Sequence, residues 1–254
     1  MNAPAEDTGV VSAREGAVLT LTINRPERRN ALHLAAYGEL TAQLKRANDD
    51  PGLAAVILTG AGTHFTAGND LRDFQAQPNR PAGDSAGLAF LRALIDLDVP
   101  VIAAVEGYAI GVGVTLLQHC DFVYAADNAT LRMPFTSLGL CPEGGSSLMM
   151  ARLAGAHKAA QWLLLGKAID AREACEAGLV TSVTPAGGAQ GAGQATAAEL
   201  AAQPARSLRI SKSLMRRADR AALHDTLSVE ADAFRQRLAT PEAQQAFAKF
   251  FEKK

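Results

Sequence analysis

Two glycine-bearing loops carry the groups best suited to chemistry. One is His64-Phe65-Thr66-Ala67-Gly68-Asn69-Asp70-Leu71, the other Glu106-Gly107-Tyr108-Ala109-Ile110-Gly111-Val112-Gly113. Each follows an apolar run and precedes a helical pattern. Small residues let backbone N–H groups approach a ligand closely, and a helix start adds unpaired donors and the positive end of a dipole. Two such loops read either as an oxyanion hole or as strand-to-helix turns that need positive φ. A third segment, Leu138-Gly139-Leu140-Cys141-Pro142-Glu143-Gly144-Gly145-Ser146-Ser147, places one carboxylate in the first turn of a helix, where the dipole favours it. His64 has no carboxylate, Cys or Ser partner at motif spacing and reads as loop packing. The chain has no HExxH, no Cys/His metal spacing, no GxSxG elbow and no complete P-loop. Gly111-Val112-Gly113 has Leu116 where a dinucleotide fingerprint needs its third glycine, and Gly166-Lys167 is followed by Ala168 instead of Ser or Thr. Metal and nicotinamide chemistry are disfavoured, and no cofactor is expected.

The elements that must hold these loops alternate between strand and helix. Val10 to Ser12 and Val18 to Ile23 form a hairpin around Glu15-Gly16, with Leu19, Leu21 and Ile23 alternating along the second strand. Leu32, Ala36, Leu40 and Leu44 lie at the spacing of one helix face, and Asn48-Asp49-Asp50-Pro51-Gly52 ends that helix at Ala47. Strands are expected at 54–58, 101–105, 122–126 and 130–133, and helices at 85–97 and 114–119. From Gly144 onward the pattern is largely helical, at 146–153, 157–165 and 171–177, with a short strand at 179–183. The Ala/Gly tract 186–202 reads as a surface loop and an Ala-rich helix. Beyond Pro204 the chain is helical, an appendage for the core or a neighbouring subunit. The alternation argues for an α/β architecture with a largely buried sheet.

Composition bounds the rest. The 254 residues carry 25 Lys+Arg against 26 Asp+Glu, with 48% hydrophobic, 20% charged and 5% aromatic residues. That length can bury one large core, and the neutral balance removes any global attraction to nucleic acid or an anionic membrane. Cys120, Cys141 and Cys175 form neither a disulfide framework nor a CxxC pair, which fits a reducing, cytoplasmic setting. Met1 to Val10 carries Glu6 and Asp7 and no apolar core, unlike a secretory or transit segment. The stretch Val99 to Leu117 contains Pro100, Glu106 and three glycines, so a buried strand and a loop explain it better than a membrane span.

With these motifs in order, the chain resembles the crotonase superfamily, the enoyl-CoA hydratase/isomerase family. The matching runs are Asn24-Arg25-Pro26-Glu27-Arg28-Arg29-Asn30-Ala31-Leu32, Phe65 to Leu71, Pro100 to Gly113, Cys120-Asp121, and Glu173-Ala174 through Gly178-Leu179-Val180. The resemblance implies the crotonase (ClpP/crotonase-like) fold, with repeated ββα units in a spiral core. It implies a catalytic core over 1–203 and a helical oligomerisation region over 204–254, assembled as a homotrimer or a dimer of trimers. It places the thioester oxygen between the backbone N–H groups of Ala67 and Val112, each contributing about 3 to 4 kcal/mol of transition-state stabilisation. Substrate contacts are implied at Ala67, Gly68, Asn69, Asp70, Leu71, Gly111 and Phe135. Contacts to the phosphates and adenine of coenzyme A, itself part of the substrate, are implied at Arg28, Arg29, Leu32, Phe250 and Lys253.

The two hydratase glutamates align with Thr115 and Phe135, neither of which can deprotonate a water. Gly68-Asn69-Asp70-Leu71 and Gly139-Leu140-Cys141-Pro142-Glu143 instead match the Δ3,Δ2-enoyl-CoA isomerase subgroup, which makes Glu143 the single catalytic base of unsaturated acyl-CoA β-oxidation. An apolar lining of Phe65, Leu71, Phe74, Phe135 and Leu140 is expected to raise its pKa to roughly 6 to 7. Two other readings compete. One is another acyl-CoA reaction, such as weak hydration or thioester hydrolysis. The other is a non-catalytic acyl-CoA or RNA-binding member, because Arg206, Arg209, Lys212, Arg216, Arg217 and Arg220 form a basic run. That run reads better as a solvated face or as subunit-interface salt bridges, so nucleic acid is disfavoured as a partner.

Overall fold

The computed structural model describes residues 8–76 and 85–252, with side chains described at all of these except 74–76 and 250–251. The hairpin is β1 (Val10–Glu15) and β2 (Val18–Ile23), followed by α1 (Leu34–Asp49), β3 (Ala55–Gly60), α2 (Leu71–Ala76), α3 (Ala86–Asp96) and β4 (Val101–Val105). Next come β5 (Tyr108–Ile110), α4 (Val112–Thr115), β6 (Phe122–Ala126) and β7 (Thr130–Arg132). The remainder is α5 (Ser146–Ala154), α6 (Ala156–Leu163), β8 (Ala168–Asp170), α7 (Ala171–Glu176), β9 (Ser182–Thr184), α8 (Ala189–Ala201), α9 (Ala205–Leu238) and α10 (Pro241–Glu252). Six strands make one sheet in the order β1-β2-β3-β4-β6-β9, and β5-β7-β8 make a smaller one. All neighbours from β2 to β9 in the larger sheet are parallel, and only the β1–β2 hairpin is antiparallel. This is the α/β crotonase architecture with a helical C-terminal region.

Alternation in the central strands divides the core. Val56 and Leu58 of β3 and Val101, Ala103 and Val105 of β4 face the main cluster, while Ala55, Ile57 and Ile102 meet Ala197 of α8 in a second one. A strand covered on both faces must be apolar throughout, as β4 is. The Ala/Gly composition of α8 permits its close approach to the sheet. A methyl group on Gly193 would already stand 3.3 Å from Ile102 Cγ2.

The structure differs from the sequence pattern in short pieces. β5 lies inside a loop that reads as a plain turn, and three residues are too few to carry a period. The strand expected at 179–183 begins only at Ser182. The N–H groups of Leu179 and Val180 instead donate to the Ala174 carbonyl at 2.9 and 3.1 Å, closing α7. No helix among the described residues is long and apolar enough to cross a membrane.

Arg206 and Arg217 of the basic run are exposed, and its other four residues dock α9 on the core of the same chain. Arg209 donates to the Ala47 and Asn48 carbonyls at 3.1 and 2.8 Å, capping the C-terminal end of α1. Lys212, with its side chain 6% exposed, pairs with Asp121 at 2.7 Å and donates to the Val99 carbonyl at 2.8 Å. Arg216 reaches Asp121 at 3.4 Å, and Arg220 pairs with Asp98. The outward face of α9 is apolar in part, with Ile210, Leu214 and Met215 exposed. Removing Lys212 leaves the buried Asp121 carboxylate with the Val101 N–H at 2.8 Å and only the longer Arg216 contact to balance its charge, so Lys212→Ala is expected to cost about 3 kcal/mol of stability in urea unfolding. A loss below about 1 kcal/mol would show that the pair does not anchor the helix.

Candidate active site

The two loops are joined by a buried asparagine. Asn30, fully buried with φ +57°, accepts from the Arg25 N–H at 2.9 Å and donates to the carbonyls of Ala61 at 2.8 Å and His64 at 2.6 Å. Its own carbonyl takes the Thr66 hydroxyl at 2.6 Å. Each polar atom of its side chain is satisfied, so three segments are held where an unpaired amide would be costly. Beyond this staple the loops zip together. Phe65 N–H meets the Glu106 carbonyl at 2.7 Å, Thr66 N–H meets Tyr108 at 2.9 Å, and Ile110 N–H meets Thr66 at 3.0 Å. Gly68, at φ +83°, lets the backbones pass, because a Cβ there would lie 2.4 Å from the Ile110 carbonyl oxygen.

This packing corrects one assignment. The Ala67 N–H donates to the Arg29 carbonyl at 2.9 Å, so it has no proton to offer a ligand. The backbone N–H groups of Asn69 and Val112 have no acceptor among the described residues, and both residues line the same cavity. Asn69 is further braced by its side-chain oxygen, which accepts the Tyr37 hydroxyl at 2.6 Å. Asp70 lines the cavity and pairs with Arg25 at 3.4 Å.

Glu143 faces this cavity from the loop before α5. Thr115 Oγ1 donates to Glu143 Oε1 at 2.6 Å, so the residue aligned with a hydratase glutamate instead holds the Glu143 carboxylate. Burial lifts the Glu143 carboxyl from 4.5 to about 7, the Thr115 hydrogen bond pulls it back, and the Glu230 carboxylate adds to the rise. Tyr37 is pushed well above its ordinary value by burial, by Glu143 and by Asp73, and so stays protonated as a donor. His119 is lowered to about 4, chiefly by burial. As a neutral ring it donates from Nε2 to the Gly144 carbonyl at 2.7 Å, beside Gln118 Nε2 at 2.6 Å.

The cavity, of about 140 Å³, has a different lining from the one expected. Phe65, Phe135 and Leu140 lie in the main core, Phe135 at 4.0 Å from where a Gly111 side chain would begin, and Leu71 packs against that core. The apolar walls are Leu32 with Leu34 of α1, Leu88 and Leu91 of α3, and Leu227, Ala231, Phe234 and Leu238 of α9. Helix α9 of the same chain therefore closes the site. Of the residues expected to contact coenzyme A, Leu32 lines the cavity, while Arg28 and Arg29 are exposed at a turn. The Arg29 guanidinium lies 5.9 Å from the Tyr108 ring centroid, and that ring stacks on His64 at 4.6 Å. Lys253 and the side chains of Phe74 and Phe250 lie outside the described residues. His64 accepts the Tyr108 N–H at 3.3 Å, the packing role its spacing suggested. Two unpaired backbone donors beside one ionisable carboxylate can polarise a carbonyl and move a neighbouring proton.

The family model described as enoyl-CoA hydratase/isomerase matches residues 13–254. The chain is 35% identical over 254 residues to enoyl-CoA delta isomerase 2 of Rattus norvegicus, covering 98% of this chain and 65% of that protein. It thus spans just under two thirds of that relative's length. It is 31% identical over 245 residues to the 2,3-dehydroadipyl-CoA hydratase of Escherichia coli K12, covering 96% of each. The structure of Pseudomonas aeruginosa OdaA superposes with a TM-score of 0.92 at 37% identity, covering 95% of this chain and 98% of that one.

The raised carboxyl has a consequence for stability. Between pH 4.5 and about 7 the unfolded chain has released the Glu143 proton and the folded chain retains it, so stability falls as pH rises through that window. Glu143→Gln removes this dependence. In urea unfolding the variant is expected to gain on the order of 2 kcal/mol over the parent at about pH 8, and much less at about pH 4. A difference that did not change with pH would contradict a buried, uplifted carboxyl.

Proposed function

The chain belongs to the enoyl-CoA hydratase/isomerase family, and on that footing we propose that it moves the double bond of 3-enoyl-CoA thioesters to the 2-position, a step of fatty-acid metabolism. Glu143 takes a proton from C2 and returns it to C4, with C3=C4 opening as C2=C3 forms. The dienolate charge falls on the thioester oxygen, held by the N–H groups of Asn69 and Val112. One carboxylate suffices, because the same proton leaves and re-enters on one face. No cofactor is required. The observation that carries this reading is the Glu143 carboxylate, its pKa lifted by burial, beside two unpaired backbone donors.

The same geometry disfavours hydration, although hydratase-named relatives are of similar identity. Thr115 and Phe135 supply no carboxylate, and the other acids of the cavity are engaged: Glu230 accepts three hydrogen bonds, Asp70 pairs with Arg25, and Asp73 accepts the Leu34 N–H at 2.9 Å. Arg28 and Arg29 are the proposed cations for the coenzyme A phosphates. The exposed Ile210, Leu214 and Met215 are consistent with a homotrimer or a dimer of trimers.

Incubation with 3-hexenoyl-CoA is expected to generate the conjugated thioester, while crotonyl-CoA is consumed slowly or not at all. Glu143→Gln should lower the first rate by about a thousandfold with acyl-CoA binding retained. The parent kcat/KM should rise with pH to a plateau, with a midpoint near the Glu143 value of about 7. Preferential hydration of crotonyl-CoA, or isomerisation that survives Glu143→Gln, would refute the assignment.

A further inference from the structure

Glu143 sits on a loop that is clamped from two sides. On the core side, Gln118 and His119 hold the Gly144 carbonyl, and the Ser146 hydroxyl donates to the Glu143 carbonyl at 2.6 Å. On the other side the loop is held by α9. The N–H groups of Gly145 and Ser147 donate to the Glu230 carboxylate at 2.6 and 2.9 Å, and the Ser147 hydroxyl adds a third bond at 2.6 Å. Glu230 is 6% exposed, and such charge-assisted bonds to a buried carboxylate are the strong kind. The loop has little room to relax, since Gly144 and Gly145 both have positive φ, and a Cβ on Gly144 would stand 2.6 Å from Thr115 Oγ1.

We propose that Glu230 is a positioning residue for the reaction at Glu143, through which the docking of α9 sets the placement of the base. This rests on Glu143 being that base. Glu230 does not handle the substrate proton, because both of its oxygens are occupied by loop donors. The ion pairs of Lys212, Arg216 and Arg220 fix α9 upstream, and Leu227, Ala231 and Phe234 flank Glu230 on the cavity wall. The helix thus delivers one carboxylate to the loop and an apolar wall to the cavity in the same turns.

The titratable and charged groups around Glu143 come from every neighbouring element. They are Tyr37 of α1, Asp70 with its partner Arg25, Asp73 of α2, His119 behind Gly144, Cys141 on the same loop, and Glu230 and Arg235 of α9. Tyr37, His119 and Cys141 are neutral near pH 7. Glu230 is the anion whose field bears on Glu143.

The test compares Glu230→Gln and Ser147→Ala with the parent. Isomerisation of 3-hexenoyl-CoA gives kcat and KM, and carbon NMR of the carboxyl groups gives the Glu143 midpoint, with Glu143→Gln identifying its resonance. Glu230→Gln is expected to lower kcat by about tenfold to a hundredfold, with KM within about twofold. It should also move the Glu143 midpoint downward, because an adjacent negative charge is gone. Ser147→Ala deletes one donor and keeps the carboxylate, so it should fold normally and lose kcat severalfold. Unchanged kcat and midpoint in folded Glu230→Gln overturn the proposal, as does unchanged kcat in Ser147→Ala should the first variant not fold. The NMR midpoint needs no turnover. A shifted midpoint in a protein that does not isomerise 3-hexenoyl-CoA would therefore sink the proposed reaction and leave the positioning role standing.

Discussion

For Glu143 to act as the proposed base from a buried position it has to remain ionisable, and its surroundings meet that requirement. Desolvation alone drives a carboxyl upward until it is protonated and inert at neutral pH. Here the rise stops at about 7, because the Thr115 hydroxyl donates directly to the charged form while Glu230 pushes the other way. A base poised near the working pH is strong enough to take a proton from carbon and weak enough to return it. The loop that carries it therefore cannot wander, since a shift of an ångström changes both its solvation and its reach.

That demand explains why so much of the polar inventory is spent on backbone. Asn30, Gln118, His119 and Glu230 each satisfy main-chain groups of the loops around the cavity. His119, nominally the residue most able to titrate near neutrality, is held neutral by burial and serves as a fixed donor. Thr115 follows the same logic. At a position that aligns with one of the two hydratase glutamates, a hydroxyl supplies one hydrogen bond and no competing charge.

Helix α9 forms one wall of the site. Its basic residues resemble a nucleic-acid footprint when read along the chain, yet Arg209 caps α1 and Lys212, Arg216 and Arg220 meet acids of the core. Spacing at i, i+3 and i+4 reports that such residues share a face, and says nothing of what that face meets. The same ambiguity concealed Glu230, which on sequence is one more acid in a long amphipathic helix.

Much of the fold was legible in the residues themselves. The hairpin, the apolar strands expected at 54–58, 101–105 and 122–126, and the helices from α1 to α9 apart from the short α2 follow from periodicities of two and 3.6 residues, since each element must bury one face or two. The ordered motifs around Gly68, Gly111 and Glu143 were enough to indicate the family and the single carboxylate. Which N–H groups are free was decided in three dimensions. Ala67 and Asn69 are near neighbours on one loop, and only the crossing of the Arg29 carbonyl over that loop occupies one donor and leaves the other. The lining of the cavity was likewise beyond the local pattern, because apolar side chains from α1, α3 and α9 are interchangeable by composition until packing brings them together. Local sequence dictates which groups a segment possesses, and tertiary contact determines which of them remain unsatisfied. Unsatisfied groups are the ones that can act on a substrate.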